Sequence, residues 1–555
     1  MKKTLAAALN QALSAACAAG ALPVVEAPEF VVEKTKQAEH GDLASNLALQ
    51  LARPCRQSPR AVAQVLLKEL GDAGGLIARS EIAGPGFLNF FLRPAAWLGV
   101  LPEAMRRGAD YGRGDWGRGR RAMVEFVSAN PTGPLHVGHG RGAALGDALA
   151  RLLAFSGFSV DSEYYINDAG TQMNTLGRSV LVRARQLKGS AEPFPDNHYR
   201  GDYIKELAAE LLGAPQGRDL LSLPPEEAAA LATDWAGGKI LDGIKQDLAV
   251  FQVHIQNYFS ERSLVAGGAV ERAFAALKDR GMLYEADGAL WFQATAFGDE
   301  KDRVVRRSSG EITYFASDIA YHLDKLRRGY EFLVDVWGAD HHGYVPRVKA
   351  AMQALGQRPE DLTVVLVQMV NLLRGGEPVA MSTRGGEFVT LREVIDEVGS
   401  DSARFIFLSR RSDAQLDFDL EVAKAQSMDN PVFYVQYAHT RVAALLRKAA
   451  EAGVPEPEAA KVDLGLLTGE EEVALARRLA EFPEMVEGAA RSLEPHRITY
   501  YLHELAGSFH SYYNGTKVLV EDPGLSAARL LLAQAVGRVL ANGLGLLGVS
   551  APEKM

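Results

Sequence analysis

The sequence predicts a multidomain α/β protein. Its centre is a doubly wound parallel sheet, flanked by a small α+β domain and an all-helical C-terminal domain. Three observations carry this expectation. Residues 123–166 read as strand, loop, helix and strand; a second apolar run stands at Val364–Val370; and from about residue 416 the apolar pattern is helical to the end. At 555 residues the chain is too long for one core.

The first of these is the most informative. Met123–Val127 is apolar and short enough for a buried parallel strand. Ser128–Pro134 breaks it with Asn, Pro, Thr and Gly, which read as a loop. Leu145, Ala148, Leu149, Leu152 and Leu153 then share one helical face, and Gly157 suits the helix end. Phe158–Ile166 completes a βαβ unit. At the strand-to-helix junction stand His136, Gly138 and His139. Two imidazoles three residues apart project from the first turn, where backbone N–H groups and the helix dipole favour an anion. Gly138 would let a phosphate or a planar group approach the backbone. Imidazole donors suit charge that develops during displacement at phosphorus. A helix cap or half of a metal site fits the same pair, but no third His or Cys stands nearby, so no structural metal is expected.

Around this unit the chain divides into residues 1–115 (α+β), 116–415 (the sheet, with a helical insertion at about 175–290) and 416–555 (helical). The N-terminal stretch has lysines followed by alanines and leucines, like a signal peptide. Asn10 and Gln11 interrupt it too early for that, while Leu5, Leu9, Leu13 and Cys17 share one helix face. It reads as an amphipathic helix of the mature protein. No stretch approaches the ~20 apolar residues of a membrane span. The two cysteines, Cys17 and Cys55, imply no disulfide framework and fit a cytoplasmic location. A net charge of −9 argues against a protein that simply coats nucleic acid. It leaves open a local basic face at Arg106, Arg107, Arg113, Arg118, Arg120 and Arg121, which reads equally as a solvated linker.

ANPTGPLHVGH followed by GRGAALGD resembles the HIGH signature of class I aminoacyl-tRNA synthetases, and the flanking words are similar to the bacterial arginyl family. The likeness recurs in HGDLASNLALQLA (40–52), GPGFLNFFL (84–92), EYYINDAGTQ (163–172), VWGADHHGY (336–344) and NPVFYVQYAHTR (430–441). It implies a Rossmann-type catalytic domain, an N-terminal domain that touches the tRNA elbow and a helical anticodon-binding domain. The implied reaction joins L-arginine to tRNA(Arg) through an adenylate, with ATP and its Mg²⁺, in a monomer without membrane contact. A non-catalytic tRNA-binding paralogue is the alternative.

By the same resemblance, Glu125, Ser128, Asn130, His139, Tyr314, Asp318, Asp340 and Gln368 bind arginine. His136, Gly138, His139, Met381, Ser382, Thr383 and Arg384 bind ATP, with His136, His139 and Arg384 catalytic. Asn89, Tyr437 and Arg441 contact tRNA; for Asn89 a strand-end structural role, and for Tyr437 a core position, are the competing readings. Tyr314 and Asp318, four apart, share a face if a helix starts there. Carboxylates suit a guanidinium, which is planar and permanently charged. One departure stands out: the second signature, KMSK in the class, reads Ala380-Met381-Ser382-Thr383-Arg384. The position before HIGH where a lysine can compensate holds Gly133, so Arg384, Lys301, Arg306 or Arg307 must supply the charge.

Overall fold

The computed structural model describes residues 1–379 and 389–555. Five parallel strands form the central sheet: β1 (Arg121–Glu125), β2 (Ser159–Ile166), β3 (Asn257–Ser260), β4 (Phe332–Gly338) and β5 (Leu362–Val367). Their order, β5-β4-β1-β2-β3, winds outward in both directions from β1. The order reverses between β1 and β4, where such sheets leave a crevice beyond the strand ends. Helix α1 (Val137–Phe155) follows β1 and buries nearly all its apolar side chains. A second helix, α2 (Tyr314–Arg327), precedes β4.

The segment expected as a helical insertion contains more than helices. Helices at Thr171–Leu187, Asp202–Gly213 and Pro225–Val250 lead into β3, which pairs parallel with β2. Much of the segment is therefore the crossover that a parallel pair requires. The four-residue NYFS strand is too short to stand out between long helical patterns. An antiparallel sheet of Leu283–Ala286, Ala289–Phe292 and Arg303–Arg306 then precedes α2.

The helical C-terminal pattern also starts later than expected. Leu416–Asp419 is a strand that pairs parallel with Val370–Arg374, so the helical bundle begins with α3 (Pro431–Glu451). The bundle includes α4 (His496–Gly515) and α5 (Pro523–Leu546). Helix α5 is long and apolar enough to cross a membrane by composition, contrary to the sequence reading. With 67% of that window buried, it is the bundle's core helix, apolar all round because it is surrounded.

The N-terminal helix Lys2–Ala18 buries Leu5, Leu9 and Leu13, as its amphipathic pattern predicts. It packs in a domain whose antiparallel sheet runs Val32–Lys34, Leu43–Ser45, Phe87–Leu92, Ile77–Ala83. Most of the basic linker is structural. Arg113 pairs with Asp110 (2.7 Å), Arg121 with Asp161 (3.1 Å), Arg107 donates to the Arg113 carbonyl, and Arg120 lies over Phe158. Arg106 and Arg118 are exposed.

Two buried arginines join these parts. Arg404 donates to the carbonyls of Phe251 (3.1 Å) and Leu547 (3.0 Å) and pairs with Asp147 of α1. Arg141, also on α1, donates to the carbonyls of Gln368, Arg411 and Ala414 at 2.8–2.9 Å. The packing of α1 on the chain that leaves β1 depends on glycine: a Cβ on Gly146 would run into the Phe126 ring. Gly146→Ala is therefore expected to lower the thermal unfolding midpoint, at about 1–3 kcal/mol for an overpacked core. Calorimetry checks this, and an unchanged midpoint would mean the contact relaxes freely.

Candidate active site

His136 is the N-cap of α1, and the two histidines cap the helix reciprocally. Gly138 N–H donates to His136 Nδ1 (3.1 Å), and His136 N–H donates to His139 Nδ1 (3.2 Å). Both rings accept at Nδ1, so in the neutral state each carries its proton on Nε2. The rings stack with centroids 3.7 Å apart. Burial lowers the His136 pKa; burial together with the neighbouring His136 pushes His139 down to about 3. Two neutral Nε2–H donors result.

The backbone contributes less than the sequence suggested. His139 N–H donates to His136 O and Val137 N–H to Val389 O, so the amides of the first turn are already engaged. Gly138 has a steric task as well: a Cβ there would stand 2.9 Å from the His136 ring. Met381, Ser382, Thr383 and Arg384 lie outside the described residues. The residues just after them are tied to this turn, since Leu391 N–H donates to Leu135 O (2.7 Å) and Thr390 bridges to His136.

Beside the histidines, the chain leaving β1 turns through Val127 (φ 70°) and Ser128 (φ 41°). Left-handed geometry is rare for a β-branched residue, and such strain persists only where surrounding contacts hold it. Ser128 Oγ donates to Glu125 Oε1 (3.0 Å) and accepts from Tyr165 N–H (3.1 Å). Asn130 Nδ2 donates to Gln172 Oε1 (2.7 Å). Gln368 directly follows β5; its side-chain oxygen accepts from Met369 N–H.

The acidic part of the site differs from the set expected. Asp318 sits in the first half of α2 and accepts from the Tyr344 hydroxyl. Burial pushes its pKa up to about 6, against the Tyr344 bond and the His322 charge, with Glu125 adding repulsion. Glu261, which sequence reasoning missed, is the second carboxylate. It is buried, and its pKa is raised by burial and by the charges of Asp318 and Asp168. Nothing in FSERSL marks this glutamate apart from other helix-start acids. Tyr314 stands 68% exposed on the first turn of α2, its hydroxyl 3.7 Å from where a Cβ of Gly170 would be. Two positions differ from these in their surroundings. Glu125 is held at both oxygens, by Lys325 (2.6 Å) and Ser128. The Asp340 side chain is 80% exposed and pairs with His341 at 3.5 Å, so it is not among the buried carboxylates.

Far from this site, Asn89 is 4% exposed on a strand paired on both sides, which keeps it from meeting a base without rearrangement. Tyr437 is half-buried on α3. The Arg441 guanidinium lies 4.7 Å from its ring centre and 5.0 Å from that of Tyr513, and donates to His510 and Asn514 at 3.2 Å.

A doubly wound sheet with a histidine-capped turn at its carboxyl edge, carrying a helical bundle behind it, defines a class I aminoacyl-tRNA synthetase. Residues 2–92 match the arginyl tRNA synthetase N terminal domain, 102–429 the class I (R) tRNA synthetase catalytic domain, and 435–555 the DALR anticodon binding domain. The chain is 55% identical to the arginine–tRNA ligases of Syntrophotalea carbinolica and Desulfosudis oleivorans, over 100% of each chain. The Thermus thermophilus arginyl-tRNA synthetase structure superposes with a TM-score of 0.75 at 26% identity, covering 99% of both chains. The chain belongs to the arginyl-tRNA synthetase family.

The raised Asp318 pKa sets two expectations. Only the ionised carboxylate attracts a cation, so arginine affinity should be full well above pH 6 and fall as pH drops through about 6. A folded pKa above the unfolded one means that stability present at low pH is lost as pH rises through 6. Asp318→Asn removes that loss, so at pH 7 the arginine-free variant should be more stable, by on the order of 1 kcal/mol, while losing arginine binding. Calorimetry with and without arginine tests both; a variant that is destabilised, or that still binds arginine normally, contradicts the assignment.

Proposed function

We propose that the protein joins L-arginine to tRNA(Arg) in two steps at this site. The arginine carboxylate attacks the α-phosphorus of ATP, and the bond to pyrophosphate breaks. A ribose hydroxyl at the tRNA 3′ end then attacks the carbonyl carbon, and AMP leaves. No covalent enzyme intermediate forms, so the protein's contribution is orientation and stabilisation of charge. The observation that carries this reading is the reciprocally capped, neutral histidine pair on the helix that follows β1, in a fold whose buried carboxylates Asp318 and Glu261 interact with one another.

In this reading Asp318 and Glu261 take the guanidinium, with Tyr314 and Tyr344 bounding it. Ser128, Asn130 and Gln368 hold the amino and carboxyl groups, with His139 beside them. His136 and His139 donate Nε2–H to phosphate oxygens, a task suited to rings that remain neutral. Val389, Thr390 and Leu391, which follow the segment holding Met381, Ser382, Thr383 and Arg384 in sequence, are bonded to that turn, which favours Arg384 as the cation that replaces the class lysines. Lys301, by contrast, is exposed. Mg²⁺ bound to ATP would neutralise further phosphate charge.

For tRNA, the Tyr437–Arg441–Tyr513 stack offers an aromatic and a guanidinium plane to an unstacked base. Tyr437→Ala should weaken tRNA binding by ~1–3 kcal/mol, the worth of one stacked base, and raise the tRNA KM with little change in melting. A variant that melts early yet charges tRNA normally would place Tyr437 in the core instead.

Arginine-dependent ATP–pyrophosphate exchange and tRNA charging, run with and without tRNA and with other amino acids, test the overall reading. Tight tRNA binding with no charging would overturn it. Within an active protein, His136→Ala and His139→Ala are each expected to slow adenylate formation about 10²–10³-fold, the usual loss for one preorganised donor. A normal single-turnover rate in either variant would reduce that histidine to a helix cap.

A further inference from the structure

A buried charge that the proposed chemistry does not use lies beneath the pocket. Lys325, two turns along α2 from Asp318, is 0% exposed. Its Nζ donates to Glu125 Oε2 (2.6 Å) and Asp335 Oδ1 (2.8 Å), and stands 4.4 Å from the Tyr321 ring centre. Glu125 and Asp335 are register partners on β1 and β4, the strands on either side of the reversal in sheet order. Without a cation between them, two neighbouring carboxylates would repel at the base of the crevice. The ammonium is held strongly charged by the pair, and Asp335 is held well below the usual carboxylate range by Lys325 and His322.

Two hydrogen-bonded arms leave this centre, and each ends at the pocket. One runs from Glu125 Oε1 to Ser128 Oγ, and from there to Tyr165 N–H, across the left-handed turn. The other runs from Asp335 Oδ2 to His322 Nε2 (2.9 Å), and from His322 Nδ1 to the Asp318 carbonyl (2.8 Å). A well-packed apolar group is often at least as stabilising as a buried ion pair. What the pair adds is direction. Strand ends, the turn at Ser128 and the backbone at Asp318 are fixed relative to one another by bonds with defined angles.

We propose that Lys325 is a positioning residue for arginine: it pairs with Glu125 and Asp335, and so sets the separation of Ser128 and Asp318 without touching substrate. The inference rests on the arginine-pocket reading, which wild-type kinetics test by themselves.

The experiment compares Lys325→Met, Lys325→Arg and Asp335→Asn in the full-length protein, measuring KM for arginine and for ATP, kcat and Tm. Lys325→Met is expected to raise the arginine KM at least about tenfold while the ATP KM moves less than about threefold, the split expected when only one substrate's site is displaced. Lys325→Arg keeps the charge and should lie nearer wild type. A parallel rise in both KM values, or a lower Tm with the arginine KM within about threefold of wild type, would overturn the inference. If Lys325→Met does not fold, Asp335→Asn, which removes the charge at one end of the bridge and one of its two acceptor oxygens and leaves the Lys325–Glu125 pair, decides by the same comparison. A wild-type protein that does not use arginine fails the functional reading instead.

Discussion

The pairing of one buried ammonium with carboxylates from two adjacent strands is the constraint on which the active centre depends. Strands β1 and β4 run parallel up to Glu125 and Asp335, and beyond those residues their chains part to form the crevice. Like charges at that fork would drive the strand ends apart or take up a proton. Lys325 removes both outcomes, and the turn through Val127 and Ser128 can then be held in a conformation that L-residues seldom adopt. The fork is thus an electrostatic as much as a hydrophobic junction.

Function is divided between two kinds of charge environment. On the phosphate side, burial keeps His136 and His139 neutral, so they offer directed N–H dipoles and no competing positive charge. On the carboxylate side, burial raises Asp318, with Glu125 adding repulsion, and burial together with the charges of Asp318 and Asp168 raises Glu261, an environment that favours the approach of a cation. Burying carboxylates whose charged form is disfavoured is an exchange of stability for function familiar at functional sites.

The surrounding architecture keeps both sides registered on α1. Its N-terminus carries the histidines; Arg141, one turn further, grips the carbonyl of Gln368; Asp147 pairs with Arg404, which reaches the end of α5 in the helical bundle. A displacement of the bundle would be felt at α1 through groups that are buried and have fixed bonding directions. Hydrophobic packing alone, being non-directional, would transmit less.

Much was legible in the sequence, because much of it is local. The strand–turn–helix at residues 123–166 follows from apolar periodicity and glycine placement, and the amphipathic first helix from its spacing. The family words around His136 and His139 identified the chemistry, and Tyr314 and Asp318 share a helix turn as their spacing required. What the sequence could not decide involves partners far apart along the chain. That Glu125 is bonded to Lys325, that Glu261 lies near Asp318, that Asp340 is exposed and that Asn89 is covered depend on which segments fold against each other. The NYFS strand and Leu416–Asp419 were missed for the same reason: four residues become a strand only when an existing sheet edge accepts them. Periodicity and capping act within a few residues, whereas burial, charge pairing and strand addition are set by the whole fold. The sequence by itself therefore determined the long elements and the chemistry they carry, and the tertiary structure decided the short strands and which charges are buried, paired or exposed.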